Sequence, residues 1–158
     1  MKVAIITDTH IGARNDSTAF AAYFKDFYDN HFFPYIDEHE ITTVCHLGDI
    51  VDRRKYINFT SARNLTEMMI KPLHDRGIDT HMLIGNHDTY FKNTNEINSM
   101  RELYGNSKYD NIKFYYDLPE AIDFDGCKVL MTPWICSGNF EESMDIISKT
   151  NAEVLFGH

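Results

Sequence analysis

The sequence predicts an α/β fold in which two β-sheets pack between layers of helices, an αββα sandwich. Strand-like and helix-like segments alternate over residues 1–105, which indicates a parallel sheet with right-handed crossovers. After Gly105 the pattern changes to short strand-like runs, two of them separated by Asp125-Gly126, a strong hairpin signal. A chain of 158 residues with 43% hydrophobic content is long and apolar enough for one globular domain.

Three strand-like runs organise the first half of the chain, at residues 2–7, 44–47 and 80–84. Helical segments follow them, at residues 20–36, 59–76 and 96–103. Ser17 or Asp16 is placed to cap the first helix. Pro34 and Pro72 lie inside helical patterns, so we expect kinks there, or a helix end at Pro34. Gly77 ends the second helix.

Short strands dominate the second half, at residues 112–116, 121–124 and 128–132. A capped helix is predicted near residues 140–150, and a last strand-like run over 153–156 ends in Gly157-His158. These segments supply the second sheet of the sandwich.

The first helical segment carries many aromatic side chains. They recur at helical spacing and then widen into a broader stripe: Phe20, Tyr23, Phe24, Phe27, Tyr28, His31, Phe32 and Phe33. Core packing is one interpretation of this stripe. Contact with another subunit is the other, because large exposed apolar patches usually mark interfaces.

The charge balance is unlike that of most nucleic-acid-binding proteins. The formal net charge is −9, whereas nucleic-acid binders usually carry basic patches. Carboxylates clustered around bound cations would account for part of the acidity. Arg53-Arg54-Lys55 is the only compact basic group, and it is either a solvated loop or a contact for phosphates.

The cysteines and the apolar runs bear on the cellular compartment. No run approaches the roughly eighteen apolar residues of a membrane span, and no signal peptide opens the sequence. Cys45, Cys127 and Cys136 are odd in number and lack metal-binding spacing. Each lies in or beside an apolar run, which favours buried reduced thiols and a reducing cytoplasm.

Polar side chains follow the three strand-like runs of the first half. Asp8 and His10 follow the first run, Asp49 follows the second, and Asn86 with His87 follows the third. Ligands gather outside the carboxyl ends of strands in α/β sheets, so we expect these side chains to converge. Carboxylate, imidazole and amide oxygen together suit manganese, iron or zinc better than calcium.

The order of these motifs resembles the calcineurin-like metallophosphoesterases. The motifs are Asp8-x-His10, Gly48-Asp49-x-x-Asp52, Gly85-Asn86-His87-Asp88 and Gly157-His158. The likeness is greatest to the nuclease branch that serves DNA double-strand-break repair, in particular the recombination endonuclease subunits of large tailed phages. It covers the whole chain and implies the four-layer αββα sandwich of that family. Some branches carry histidine at the position of Asp52, where it is implicated in exonuclease action, so this departure leaves the exonuclease detail open.

The resemblance implies two divalent cations, with manganese preferred and magnesium as the alternative. Two such cations need a shared ligand, and Asp49 is the candidate because it ends the central strand. By resemblance, Asp8 and His10 complete the first metal site, whereas Asn86 and His158 hold the second.

Further residues surround these ligands. By resemblance, His87 is the catalytic proton donor or a phosphate contact. Asp88 either orients the His87 ring or caps backbone groups. His46 either contacts the metal-ligand side chains from behind or is a core histidine whose ring nitrogens both have hydrogen-bond partners. Arg53 and Arg54 are candidate phosphate contacts.

The function expected from the resemblance is a manganese-dependent DNA phosphodiesterase, an exonuclease and endonuclease subunit of a recombination and repair complex. Its expected partners are DNA ends, a coiled-coil repair ATPase and a second copy joined through the helices after the first two motifs. A phage-encoded protein of this kind acts in the host bacterial cytoplasm. The net acidity favours one alternative, a small-substrate phosphodiesterase or phosphatase. A non-catalytic metal-binding scaffold is the other, and it predicts lost ligands, which the sequence does not show.

In the family, a complete two-metal site uses two further histidines from a later Gly-x-His segment, which follows a second Gly-His pair. Residues 1–158 do not contain this segment. We therefore expect residues 1–158 to form a metallophosphoesterase nuclease domain that is incomplete at its C-terminal end. Three ligands and water can hold a metal, though more weakly than a full set. Weak manganese binding, little nuclease activity alone and one exposed edge of the second sheet are the expected consequences.

Overall fold

A computed structural model describes all residues from Met1 to His158. Its first sheet has four parallel strands in the order β1-β2-β3-β4. The alternating pattern predicts the parallel arrangement of the first three. They are β1 (Val3–Ile6), β2 (Thr43–His46), β3 (Asp79–Leu83) and β4 (Ile112–Tyr115). The sequence pattern groups β4 with the later short strands, but β4 pairs with β3 because a helix connects the two and carries the chain back in parallel.

The second sheet has three strands in the order β5-β6-β7. They are β5 (Glu120–Phe124), β6 (Cys127–Thr132) and β7 (Val154–Gly157). The predicted hairpin is confirmed, since β5 and β6 are antiparallel and Asp125 and Gly126 have φ values of 53° and 89°. Such positive values are those of the tight turns that favour Asp-Gly. β7 pairs with β6 in parallel after a helical crossover.

Six right-handed α-helices connect the strands: α1 (Thr18–Phe27), α2 (Phe33–Glu38), α3 (Phe59–Leu65), α4 (Lys71–Asp75), α5 (Ser99–Tyr104) and α6 (Phe140–Lys149). A seventh short helical segment, Ala13–Asp16, precedes α1 and has left-handed backbone angles at Arg14, Asn15 and Asp16. The Ser17 hydroxyl caps α1 by accepting from the Phe20 amide at 3.5 Å. α5 starts three residues later than the sequence pattern indicates, because the Asn98 side chain caps it through the Arg101 amide at 2.8 Å.

The two long helical segments pass through their prolines. π-helical turns at Tyr28–Phe32 and Thr66–Ile70 join α1 to α2 and α3 to α4. Pro34 and Pro72 lie just after these turns, inside the first turns of α2 and α4. A proline ring clashes with the carbonyl four residues earlier, and a wider π turn makes room for it. Neither segment ends at its proline.

Two apolar cores hold the layers together. The larger core lies between the first sheet and the helices and contains residues from β2, β3 and the helical segments, such as Val44, Met82, Tyr28 and Leu73. The smaller core lies between the sheets, where Cys45, Leu83 and Tyr115 meet Val129 and Met131. Because this core covers the inner face of the second sheet, the crossover helix α6 lies on the outer face. The αββα prediction is therefore confirmed.

The aromatic stripe of the first helical segment divides between core and surface. Tyr28, Phe32, Phe33 and Ile36 are buried. Phe20, Tyr23 and Phe27 are 38%, 72% and 42% exposed. The buried part of the stripe thus fits the core-packing interpretation, and the exposed part fits contact with another subunit.

The cysteines form no disulfide: Cys45 and Cys136 are buried and Cys127 is half-buried. No helix has the length and apolar character needed to cross a bilayer.

Candidate metal centre

The predicted ligand side chains meet at one edge of the sandwich. Asp8 and His10 follow β1, Asp49 follows β2, Asn86 and His87 follow β3, and His158 follows β7. Two groups of donor atoms lie within 4.8 Å of one another: His10, Asp49 and His87 form one group, and Asp8, Asp49 and His158 form the other. Asp49 belongs to both groups, and its side chain is nearly buried.

His158 is held with one ring nitrogen turned to the other donors. Its Nδ1 lies 2.8 Å from the Leu47 carbonyl oxygen, which only accepts, so Nδ1 carries a proton and donates. Its Nε2 lies 3.3 Å from Asp49 Oδ1 and 3.1 Å from Asn86 Oδ1. The hydrogen bond to Asp49 raises the pKa of His158 to about 9. A cation bound here would replace the Nε2 proton between the same oxygens.

His10 faces the other oxygen of Asp49. Its Nε2 is 3.6 Å from Asp49 Oδ2 and 3.6 Å from Asp8 Oδ1. Its Nδ1 is buried without a hydrogen bond, 3.7 Å from Asp52 Oδ1. Asp49 therefore directs Oδ1 to the His158 group and Oδ2 to the His10 group, as a bridging carboxylate would.

Ionisation of Asp49 depends on the groups around it. Burial opposes ionisation, but hydrogen bonds from His158 and from the His87 amide outweigh it and lower the pKa of the Asp49 carboxyl. The His87 amide donates to Asp49 Oδ1 at 2.8 Å. The bridging position is thus occupied by a charged carboxylate before any cation arrives.

The His87 ring is oriented by a backbone group rather than by Asp88. Its Nδ1 lies 2.5 Å from the Asp52 carbonyl oxygen, so Nδ1 donates and Nε2 is left for a ligand or substrate. The ring meets the His10 ring edge to face, with centroids 4.9 Å apart. The suggestion that Asp88 orients this ring is wrong, because both Asp88 oxygens are used elsewhere.

Asp88 ties two loops of the centre together, which is the capping alternative. It accepts from the amides of Gly85 at 2.7 Å, Val51 at 2.9 Å and Ile50 at 3.2 Å. Burial raises the pKa of the Asp88 carboxyl to about 6, although the three backbone donors oppose the shift. The loop after β2 and the loop after β3 are held in register by this one side chain.

His46 is a satisfied core histidine beneath the ligands. Its Nδ1 accepts from the Gly48 amide at 3.2 Å, so its Nε2 donates to the Thr9 hydroxyl at 3.0 Å. That hydroxyl donates onward to the Ile50 carbonyl at 3.2 Å. Complete burial lowers the pKa of His46 to about 3, so the ring is neutral. Thr9, between Asp8 and His10, was not identifiable from the motifs, which treat that position as free.

The backbone around the donors is strained and closely packed. Asp8, His10 and Asp49 have φ values of 53°, 43° and 52°, in the left-handed region that few non-glycine residues adopt. A Cβ at Gly85 would overlap the Asp49 carboxylate. Such strain concentrates at functional sites, where the surrounding structure enforces it. The glycine at position 85 is therefore required for the loops to approach.

The two candidate phosphate contacts differ in their surroundings. Arg53 donates to Asp16 at 2.9 Å and to Asn15 at 2.8 Å, so its charge is already paired. Arg54 donates to the Thr89 hydroxyl at 3.0 Å and stacks over Trp134, 5.0 Å from the ring centroid. Only Arg54 has a charge without a carboxylate partner.

An αββα sandwich that gathers carboxylate, imidazole and amide donors at its strand ends defines the class of metal-dependent phosphoesterases. The chain belongs to the calcineurin-like phosphoesterase family, whose profile matches residues 1–157. It is 34% identical over 158 residues to the exonuclease subunit 1 of Enterobacteria phage T4, covering 100% of this chain and 45% of that relative. It thus spans about half the length of the relative.

A protein of unknown function from Aquifex aeolicus, known from a crystal structure, is also similar. The match has a TM-score of 0.46 and 16% identity, and it covers 97% of this chain and 75% of the other.

Proposed function

We propose that the centre holds two divalent cations and hydrolyses phosphodiester bonds in nucleic acid. The observation that carries the proposal is the position of Asp49, whose Oδ2 lies 3.6 Å from His10 Nε2 and whose Oδ1 lies 3.3 Å from His158 Nε2. A carboxylate between two donor groups is suited to bridge two cations. Asp8 and His10 would complete the first site. Asn86 and His158 would complete the second.

The chain's own residues would prepare the reaction. Divalent cations lower the pKa of water and neutralise charge on a phosphate when bound in such a site. Asn86 contributes a neutral oxygen, so the ligand set carries less negative charge toward an anionic substrate. His87 would donate a proton from Nε2 to the leaving alkoxide when its ring is doubly protonated, while its Nδ1 stays hydrogen-bonded to the Asp52 carbonyl.

The substrate and the metal are inferred by similarity. The relative from phage T4 is described as an exonuclease subunit, which favours DNA ends as the substrate and a multi-subunit complex as the setting. Manganese suits the mixture of carboxylate, imidazole and amide donors. We extend the proposal to a role in recombination and repair, with a coiled-coil ATPase as the partner subunit.

Self-association through the first helical segment is a further part of the proposal. Phe20, Tyr23 and Phe27 form an exposed aromatic patch on α1, and Phe59 at the start of α3 is 94% exposed. Phe27→Glu should therefore sediment as a soluble monomer. Its thermal melting curve should match that of the wild type. Tyr28→Glu is the matched control and should unfold the domain, because Tyr28 is buried and an unpaired charge there is very costly.

The decisive experiment compares the wild-type chain with Asp49→Asn. Manganese binding is measured by calorimetry, and cleavage is measured on end-labelled linear DNA and on a cyclic nucleotide, with manganese or magnesium. We expect weak, manganese-dependent DNA cleavage that the variant lacks. A preference for the cyclic nucleotide would favour a small-substrate enzyme, in line with the net charge of −9. Metal binding without hydrolysis of either substrate would favour a scaffold.

A further inference from the structure

A small cavity opens beside the metal centre. It lies between the segment 53–57, Tyr90 and the segment 97–103, and has a volume of about 140 Å³. The segment 53–57 begins directly after Asp52, whose carbonyl holds the His87 ring. Arg54 joins this wall to the third-motif loop through its hydrogen bond to Thr89. We call this space the side cavity.

The walls of the side cavity are aromatic and apolar where they face solvent. Tyr56 and Tyr90 are 64% and 37% exposed, and Ile97 and Leu103 are 40% and 36% exposed. Exposed aromatic rings beside cations are the elements with which proteins bind unpaired bases, since every base has a face that stacks. The cavity is small, with a volume of about 140 Å³, so it would take one base and not a base pair.

The mouth of the side cavity carries unpaired positive charge. Of the three consecutive basic residues, only Arg53 forms an ion pair, with Asp16. Arg54 contacts neutral groups, and Lys55 lies over Tyr90 with its ammonium 5.7 Å from the ring centroid. On a chain with a net charge of −9, Arg54 and Lys55 are two cations that form no ion pair, although the Glu102 carboxylate lines the same cavity.

A carboxylate at the cavity would complete the recognition of a base. Ser99 lines the cavity, but its hydroxyl is buried in the wall and faces no occupant. Glu102 also lines the cavity and is exposed. Its carboxylate forms no ion pair, so it can accept from an exocyclic amino group.

We propose that the side cavity binds one unpaired nucleobase of the substrate strand, with the adjoining phosphate against Arg54 and Lys55. The proposal rests on the proposed nuclease function and narrows its substrate to a strand whose end is unpaired. Tyr90 would stack on the base, and the Glu102 carboxylate would accept from an exocyclic amino group on its edge. The metal centre would then act on a phosphodiester bond near that base.

The test measures binding by fluorescence anisotropy with metal chelated, using the 158-residue chain. One probe is a short oligodeoxycytidine strand, whose bases carry an exocyclic amino group, and the other is a strand of equal length built of abasic sites. We expect the wild type to prefer the base-containing strand about tenfold, and Tyr90→Leu to remove that preference, because leucine keeps apolar bulk but lacks the stacking face. Tyr35→Leu changes another exposed tyrosine, on α2, which is 58% exposed against 37% for Tyr90, and it should leave the preference intact.

A charge variant tests the phosphate contact separately. Lys55→Gln should lower the slope of log affinity against log salt by about 0.7, the value for one phosphate contact on a single strand. Lys128→Gln, an exposed lysine of β6, should leave the slope unchanged.

The outcomes distinguish this proposal from the nuclease function. Equal binding of both strands would overturn the side-cavity proposal even if manganese-dependent DNA cleavage is observed, and an apolar protein side chain would become the better occupant. Base-dependent binding that Tyr90→Leu abolishes would support the proposal even if no cleavage is detected, and then the nuclease function alone would fail.

Discussion

The two halves of the metal centre differ in how firmly the protein holds their donors. In the His158 half, both ring nitrogens have partners, at 2.8 Å to the Leu47 carbonyl and 3.1 Å to Asn86. In the His10 half, the nearest oxygens are 3.6–3.7 Å away and Nδ1 has no hydrogen bond. The His10 side chain is also 28% exposed, against 16% for His158.

This contrast shows how one shared carboxylate can serve two sites with different degrees of preorganisation. Donors locked by packing and hydrogen bonds bind a cation without further ordering, whereas loosely held donors must be ordered at the moment of binding. We expect the His158 half to bind first and the His10 half to bind more weakly. The following substitutions test that expectation, from the largest effect to the smallest.

Asp49→Asn should have the largest effect because it removes the anion common to both halves. We expect DNA cleavage to be abolished and manganese binding to weaken at both sites in calorimetry. The asparagine can still accept from the His87 amide, so the metal-free fold should persist. Unchanged two-site binding would rule out the bridging role.

His87→Ser separates proton transfer from metal binding in the His10 half. We expect turnover to fall roughly a hundredfold or more, the scale of lost acid–base help, while manganese affinity stays nearly constant. His87 is one of the three donors within 4.8 Å in that half. If the variant instead loses a manganese ion, His87 is a ligand and its assignment as the proton donor is wrong.

Asp52→Ala tests whether the Asp52 carboxylate helps to hold the His10 ring in place. Its carboxylate, 3.7 Å from His10 Nδ1, is the nearest group that could fix that ring. Loss of such an outer partner costs about 10–100-fold in metal affinity, so we expect a loss of about tenfold at one site only. Asp110→Ala, which removes a 91% exposed carboxylate, is the control. An equal loss at both sites would show that Asp52 does not act through His10.

Thr9→Val should have the smallest effect and should act on stability alone. The variant leaves His46 Nε2 without a partner, and an unsatisfied buried donor costs about 1–3 kcal/mol in unfolding free energy. Denaturant unfolding of the metal-free protein measures this. Thr60→Val is the control, because that threonine is exposed and its hydroxyl makes no hydrogen bond. A large drop in manganese affinity without a loss of stability would contradict the structural role.

The sequence predicts the layers of the fold because each layer has a local signal. Apolar runs identify the strands, Asp125-Gly126 identifies the hairpin, and Gly105 marks the change from parallel to short-strand patterns. It misses the π turns before Pro34 and Pro72, since helical periodicity does not register one widened turn. It also does not reveal that β4 belongs to the first sheet, because strand pairing depends on the crossover.

For the metal centre, the sequence predicts which side chains gather but not what orients them. Strand ends and the family motifs point to Asp8, Asp49 and His158, and the structure brings these donors together. The groups that orient His87 and His158 are backbone carbonyls, which leave no residue-type signal. The sequence therefore leaves two roles open for Asp88, and the capping role is the one that fits, because its carboxylate accepts from three amides rather than from the adjacent His87 ring.

The hydrogen bond from His158 to the Leu47 carbonyl joins residues 111 positions apart. Closing so long a loop has an entropic cost that only later contacts can offset, so such contacts form late in folding. The donors after β1, β2 and β3 come together as the first sheet forms. The His158 half, which holds its donors most firmly once folded, should thus be the last part of the centre to mature. In a hydrogen-exchange pulse-labelling experiment, the backbone amides of β7 would gain protection later than those of β1, β2 and β3.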